Sequence, residues 1–150
     1  MKATKIIITA VLLAITSVGY SQKGVGNKEG VARVSAKYEI EQFSGELQNI
    51  INEACTQTTG QYSKGTHLMV KTDKETLNMH LGPTIKVSDM TNKLKTGDKI
   101  QLKVFTTKDM PDNHYIVKEF TSQGETHKIR NSNLKPFWAG EAGKGRKKRK

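Results

Sequence analysis

Cysteine is almost missing from this chain: Cys55 is the only one in 150 residues. A single thiol forms no internal disulfide, so a compact exported fold must be held by packing alone. Cys55 reads as a buried, inert thiol, with a reactive or intermolecular thiol as the other reading. Catalytic templates are lacking too. There is no GxSxG elbow, no HExxH, no Walker loop and no acidic pair flanking an obvious cleft, so an enzyme is not expected. Aromatic residues make up 6% of the chain, which leaves few rings for stacking on a ligand. Internal repeats of solenoid period are absent. One long apolar run stands out, Ile6 to Ile15, and it is shorter than the ~20 residues of a membrane span.

That run has a purpose in context. Residues 1–21 join Lys2 and Lys5, the apolar run, and a small polar end, the three parts of an export signal. Gly19 and Ser21 occupy the −3 and −1 positions, so cleavage after Ser21 is expected, leaving Gln22 first. No cysteine stands at that point to carry a lipid anchor. The expected product is periplasmic or secreted, with no transmembrane span. Residues 22–37 are glycine-rich and charged, as a flexible leader is. The spacing Gly24, Gly26, Gly30 is a fragment of a dinucleotide fingerprint, but it has neither the strand before it nor the helix after it that a nucleotide needs.

Charge is unevenly placed. Of 25 Lys and Arg, the signal takes two and residues 144–150 take six, so residues 22–143 carry 17 against 14 Asp and Glu. The body is mildly basic, and the high pI comes from the end. That end, Lys144, Arg146, Lys147, Lys148, Arg149 and Lys150, reads as a solvated tail or as an electrostatic anchor to a polyanion: nucleic acid, lipopolysaccharide or an anionic lipid surface.

Residues 38–143 form the expected domain. Most of its segments alternate apolar and polar residues with the period of two that marks half-buried strands. Tyr38 to Cys55 fits both periods, but Phe43, Gly45 and Leu47 alternate, and a mid-pattern glycine suits a curved strand better than a helix. In "THLMVKT" and "TLNMHL", Leu68, Val70, Leu77, Met79 and Leu81 share the inner face, while His67, Met69, Lys71, Asn78 and His80 face outward. A turn centred on "DKET" sets Leu68 opposite Leu81, Val70 opposite Met79 and Thr72 opposite Leu77, and leaves His80 opposite Met69 and diagonal to His67. Pro83 then interrupts the ladder, and a short helix with Ser88 as its cap carries Met90 and Leu94. In "KIQLKVFT", Ile100, Leu102 and Val104 point in, and Lys99, Gln101, Lys103 and Phe105 out. Ile116, Val117 and Phe120 do not share one parity, which calls for a bulge.

Five strands with one helix between the third and fourth resemble an OB-fold, a mainly β, five-stranded Greek-key barrel, and "FSGEL" is similar to the glycine-bearing first strand of such barrels. The stretches "GTHLMVKT", "MHLGP", "GDKIQL" and "IRNSNLKPFWAG" are also similar to small exported bacterial OB-fold proteins of unassigned role. The resemblance implies an envelope protein with no catalytic residues to carry over. "NSNLKPFW" departs from the glycine-containing turn expected there.

On such a scaffold the expected activity is binding without catalysis or a cofactor. The candidate face comprises Tyr62, Lys64, His67, Lys71, Asn78, His80, Lys103 and Phe105, where basic groups suit phosphates and rings suit stacking. Single-stranded nucleic acid is the alternative ligand. A metal held by His67 and His80 is another, but as a diagonal pair they supply two ligands where zinc wants three or four, so solvated outer-face histidines are the plainer reading. Asp109, Asp112 and Asn113 read as an ordinary loop. Phe137 and Trp138 are expected to fold back over one end of the barrel.

Overall fold

A computed structural model describes residues 37–54 and 62–139. The signal segment, most of the leader, Cys55 and the basic tail lie outside the described residues. Six strands and one helix follow in order: β1 (Glu41–Glu53), β2 (Gly65–Lys71), β3 (Thr76–Pro83), α1 (Thr84–Thr91), β4 (Lys99–Phe105), β5 (His114–Ser122) and β6 (Glu125–Lys128). The fold is mainly β, one sheet ordered β3-β2-β1-β4-β5-β6, and β3 also pairs with β5. That last pairing is parallel, Asn78 to His80 against His114 to Ile116, and it brings the ladder back to its start. All other ladders are antiparallel.

Alternation sets the core. Leu47, Leu68, Val70, Leu77, Met79, Leu81, Ile100, Leu102 and Val104 are all buried on the inner face, as their parity requires. Val87 of α1, Val117, Phe120 and Ile129 complete the cluster. Burying a residue of this size stabilises the fold by ~1.5–3 kcal/mol relative to leaving it exposed, so closing one face of a thirteen-residue strand against its neighbours is a large driving force.

β1 is long because it serves two partners in turn: Glu41 to Glu46 pair with β4, and Glu46 to Glu53 with β2. The change of partner occurs at Glu46, next to Gly45. A Cβ on Gly45 would overlap the Lys71 carbonyl oxygen and approach Val70 Cγ1 to 2.8 Å, so the strand crosses β2 at a distance that only glycine permits.

Register departs from expectation by two residues. Leu68 pairs with Met79 and Val70 with Leu77, so His67 stands directly opposite His80. The cause is the turn. Thr72 N donates to Glu75 O at 2.8 Å, and Thr72 Oγ1 accepts from Lys74 N and Glu75 N, which closes a loop centred on Asp73 and Lys74 and takes Thr72 out of the ladder. A shift of two keeps every side chain on its own face, so the core expectation survives the register error.

Two further corrections concern local elements, the helix start and a sixth strand. The helix starts at Thr84, directly after Pro83, and Ser88 lies inside it, where its carbonyl accepts from Asn92 N. Pro83 ends β3 opposite Gly65, where the ladder was expected to be interrupted. A sixth strand, β6, follows Gln123 and Gly124, both at positive φ, which is the backbone of a tight hairpin turn.

The bulge expected in β5 is present. Lys103 faces Glu119 and Val104 faces Val117, so Lys118 is the extra residue. Two more bulges are present: in β3, Thr66 faces Gly82 and His67 faces His80, leaving Leu81 unmatched, and in β1, Leu47 faces Val70 and Asn49 faces Met69, leaving Gln48 unmatched.

Candidate functional site

The eight residues expected to form one wet face are divided by the fold. His67, Asn78 and His80 come together on β2 and β3. Lys103 and Phe105 sit on β4, which pairs with neither β2 nor β3. Lys103 Nζ lies 2.8 Å from Glu119 Oε1, and this hydrogen bond holds the Glu119 carboxyl below its ordinary range. Lys64 is exposed just before β2, Tyr62 is partly buried, and Lys71 is exposed at the far end of β2.

Phe105 corrects the sequence reading most. Its parity points it outward, yet it is fully buried. It pairs across the ladder with Ile116, itself only 6% exposed, and the Tyr38 ring lies over it at 5.2 Å between centroids. His67, His80, Ile116 and Phe105 are successive register partners across β2, β3, β5 and β4. This row forms a second, thin buried layer on the outside of the sheet, so His67 is 9% exposed and not solvated.

Within that layer the imidazoles form a chain. His67 Nδ1 lies 2.7 Å from Asn78 Oδ1, and His80 Nδ1 lies 3.3 Å from His67 Nε2. Asn78 Oδ1 only accepts, so His67 carries a proton on Nδ1, and a second hydrogen bond joins its Nε2 to the Nδ1 of His80. Burial pushes the His80 imidazole down to about 3, helped by His67 and by Arg130. A base that weak takes no proton at neutral pH, so His80 is unsuited to general-base work there. Among the described residues, no three His, Cys, Asp or Glu side chains gather in a way that would hold a metal.

Arg130 was not anticipated. Its Nη1 donates to Leu81 O at 3.1 Å and also to Val117 O. β5 shares one edge between two neighbours, first β3 and then β6, and Arg130 fills the fork where they part. The bulges of β3 and β5 converge there: Leu81 is the unmatched residue of β3, and the Lys118 carbonyl accepts from Ile129 N and Arg130 N. The guanidinium also lies 5.6 Å from the Trp138 ring, which packs on Gly82. Burial lowers the Arg130 guanidinium to about 10, still charged at neutral pH. Trp138 thus folds back as expected, whereas Phe137 stays 46% exposed.

The open concavity lies elsewhere. A groove of about 850 Å³ runs over the outer faces of β1 and β4, between the β2–β3 turn at Asp73 and the β5–β6 turn at Gln123 and Gly124. Lys71 is the one residue of the expected face that lines it. In the groove, Lys99 Nζ lies 2.9 Å from Glu46 Oε2 and keeps that carboxyl below its usual range. Its floor is polar at alternate positions, a signal visible in the sequence but indistinguishable there from ordinary solubility.

Two comparisons bear on the chain once this geometry is known. Residues 39–127, nearly all of the sheet, match the model of the MamS/MamX magnetosome protein family. No curated protein matches the chain.

Proposed function

The chain belongs to the MamS/MamX magnetosome protein family, and we propose that it is an exported, non-enzymatic binding module built on an OB-fold, with a preference for anionic partners. One observation carries the fold: the strand cycle β1-β2-β3-β5-β4, shut by the parallel β3–β5 pairing, with α1 in the link from β3 to β4. That order and helix position are those of the five-stranded Greek-key barrel, and Gly45 sits in its strongly bent first strand. OB barrels bind extended ligands on their outer surface, and function in such folds rests on the surface presented.

Anion preference rests on charge. The formal net charge is +11, and six of the basic side chains fall in residues 144–150. A magnetosome family name carries a membrane-associated setting, so the partner assigned to the tail is an anionic lipid surface. Each basic residue near such a surface contributes about 1 kcal/mol. On the described residues, no helix is long and apolar enough to cross a membrane.

Cosedimentation with vesicles tests this reading. The protein should sediment with vesicles containing phosphatidylglycerol, not with pure phosphatidylcholine, and rising salt should release it. Removing Lys144 to Lys150 should abolish the difference. Equal sedimentation of the truncated chain would overturn the tail as anchor. Duplex DNA is the comparison polyanion: if all six charges engage it, log K falls with log salt at a slope of up to about −5, and tighter binding to DNA than to vesicles would favour the nucleic-acid alternative.

A further inference from the structure

The groove on β1 and β4 has a chemistry that the basic tail does not share. Three register partners cross its floor: Ser44 on β1 faces Gln101 on β4, and Gln101 faces Thr121 on β5. Thr121 in turn faces Thr126 on β6, and their hydroxyls are 2.8 Å apart. This makes an uncharged stripe of hydroxyls and an amide four strands wide, roughly 14 Å at the usual strand spacing. Neighbouring rows hold the charges in pairs: Glu46 with Lys99 on one side, Lys103 with Glu119 on the other. The Gln101 amide and the Ser44 hydroxyl make no hydrogen bond within the described residues, so they present donors and acceptors outward.

The lining excludes several ligand classes. No aromatic ring lines the groove, so nucleobases have nothing to stack on. Its one large apolar residue, Ile100, is buried, which leaves no greasy surface for an acyl chain. Lys71 and Lys99 are balanced by Glu46 and Asp73, so a polyanion gains nothing here over the rest of the surface. What remains is a neutral ligand rich in hydroxyl groups. A sugar hydroxyl both donates and accepts, as the Gln101 amide and the Ser44 hydroxyl do, and a rigid sheet presents those partners without rearrangement.

We propose that the stripe Ser44, Gln101, Thr121 is a binding site for a neutral oligosaccharide, lying across the strands between the β2–β3 and β5–β6 turns. The site is independent of the basic tail and of the imidazole layer. Without an aromatic platform its affinity is weak, on the order of 1 mM.

Amide-resolved NMR titration with maltohexaose, cellohexaose and chitohexaose tests the site, with a heparin hexasaccharide as the sulfated control. At least one neutral hexasaccharide should give saturable shifts at Ser44, Gln101, Thr121 and the Gln101 side-chain amide, retained at high salt. Gln101→Ala should weaken binding about tenfold or more. Its unfolding temperature should not change, since that side chain has no partner in the described fold. Thr121→Val, nearly equal in shape, should weaken binding as well. The proposal is overturned by any of three results: no saturable shift at Gln101 with the three neutral sugars, unchanged affinity in Gln101→Ala, or shifts produced by the heparin fragment alone and lost in salt.

Discussion

His67 Nε2 and His80 Nδ1 stand 3.3 Å apart across the β2–β3 ladder, and the His67 Nδ1–H donates to Asn78, so the two imidazoles and the amide form one hydrogen-bonded chain. The chain is a fastener in which the His80 ring is held neutral by burial. His80 titrates near pH 6.5 when unfolded and at about 3 when folded, so the unfolded state binds more protons between those values. Stability is therefore undiminished above pH 6.5 and falls as pH drops below it, by up to ~1.4 kcal/mol per unit. Urea unfolding at pH 7.0 and 5.5 should show a lower midpoint at 5.5. His80→Asn should lose most of that dependence. A His80 ring resonance that titrates near pH 6.5 in the folded protein would contradict the burial.

Phe105 is a packing residue, so Phe105→Ala should cost ~3–5 kcal/mol of stability, as removal of a buried ring does. Denaturant unfolding measures this. Any loss of nucleic-acid binding in that variant should track the unfolded fraction, because the ring under Tyr38 has no access to a base.

Arg130→Lys separates charge from shape. Lysine keeps the cation but lacks the planar fork that reaches Leu81 and Val117 together, so one carbonyl loses its donor at a cost of ~1–3 kcal/mol. The indole beneath the guanidinium is the only tryptophan, so the same substitution should shift the intrinsic emission of Trp138. An unchanged spectrum and midpoint would remove Arg130 from the fork.

Glycine substitutions should rank by what a new Cβ meets. Gly45→Ala drives a methyl into the Lys71 carbonyl and should destabilise by ~1–3 kcal/mol. Gly124 has open space around it, so Gly124→Ala meets only the penalty of its positive φ, of order 1 kcal/mol. Thermal unfolding of the two variants should place Gly45→Ala lower.

Side-chain parity made the inner face legible, because whether Leu68 or His67 points inward is decided by immediate neighbours. Register was harder. It depends on how tightly Thr72 closes its turn, and the Thr72 side chain, not the apolar pattern, set the count. The bulge at Lys118 announced itself as a break in parity, whereas the one at Leu81 left the pattern intact and went unseen. Outward-facing did not mean wet: Phe105 and His67 are buried on the outer side, Phe105 by Ile116 of β5 and by Tyr38 from the segment before β1. Arg130 was beyond reach for the same reason, since its acceptor Leu81 lies 49 residues earlier. The polar stripe was visible as single residues, and only the pairing of β1, β4 and β5 lines them up.

Because Arg130 comes so late in the chain, the ring of strands has no latch until almost the whole domain has been released. Earlier segments carry most of the greasy residues but not the guanidinium that fastens them, so the fork between β3, β5 and β6 is completed by nearly the last part of the described fold.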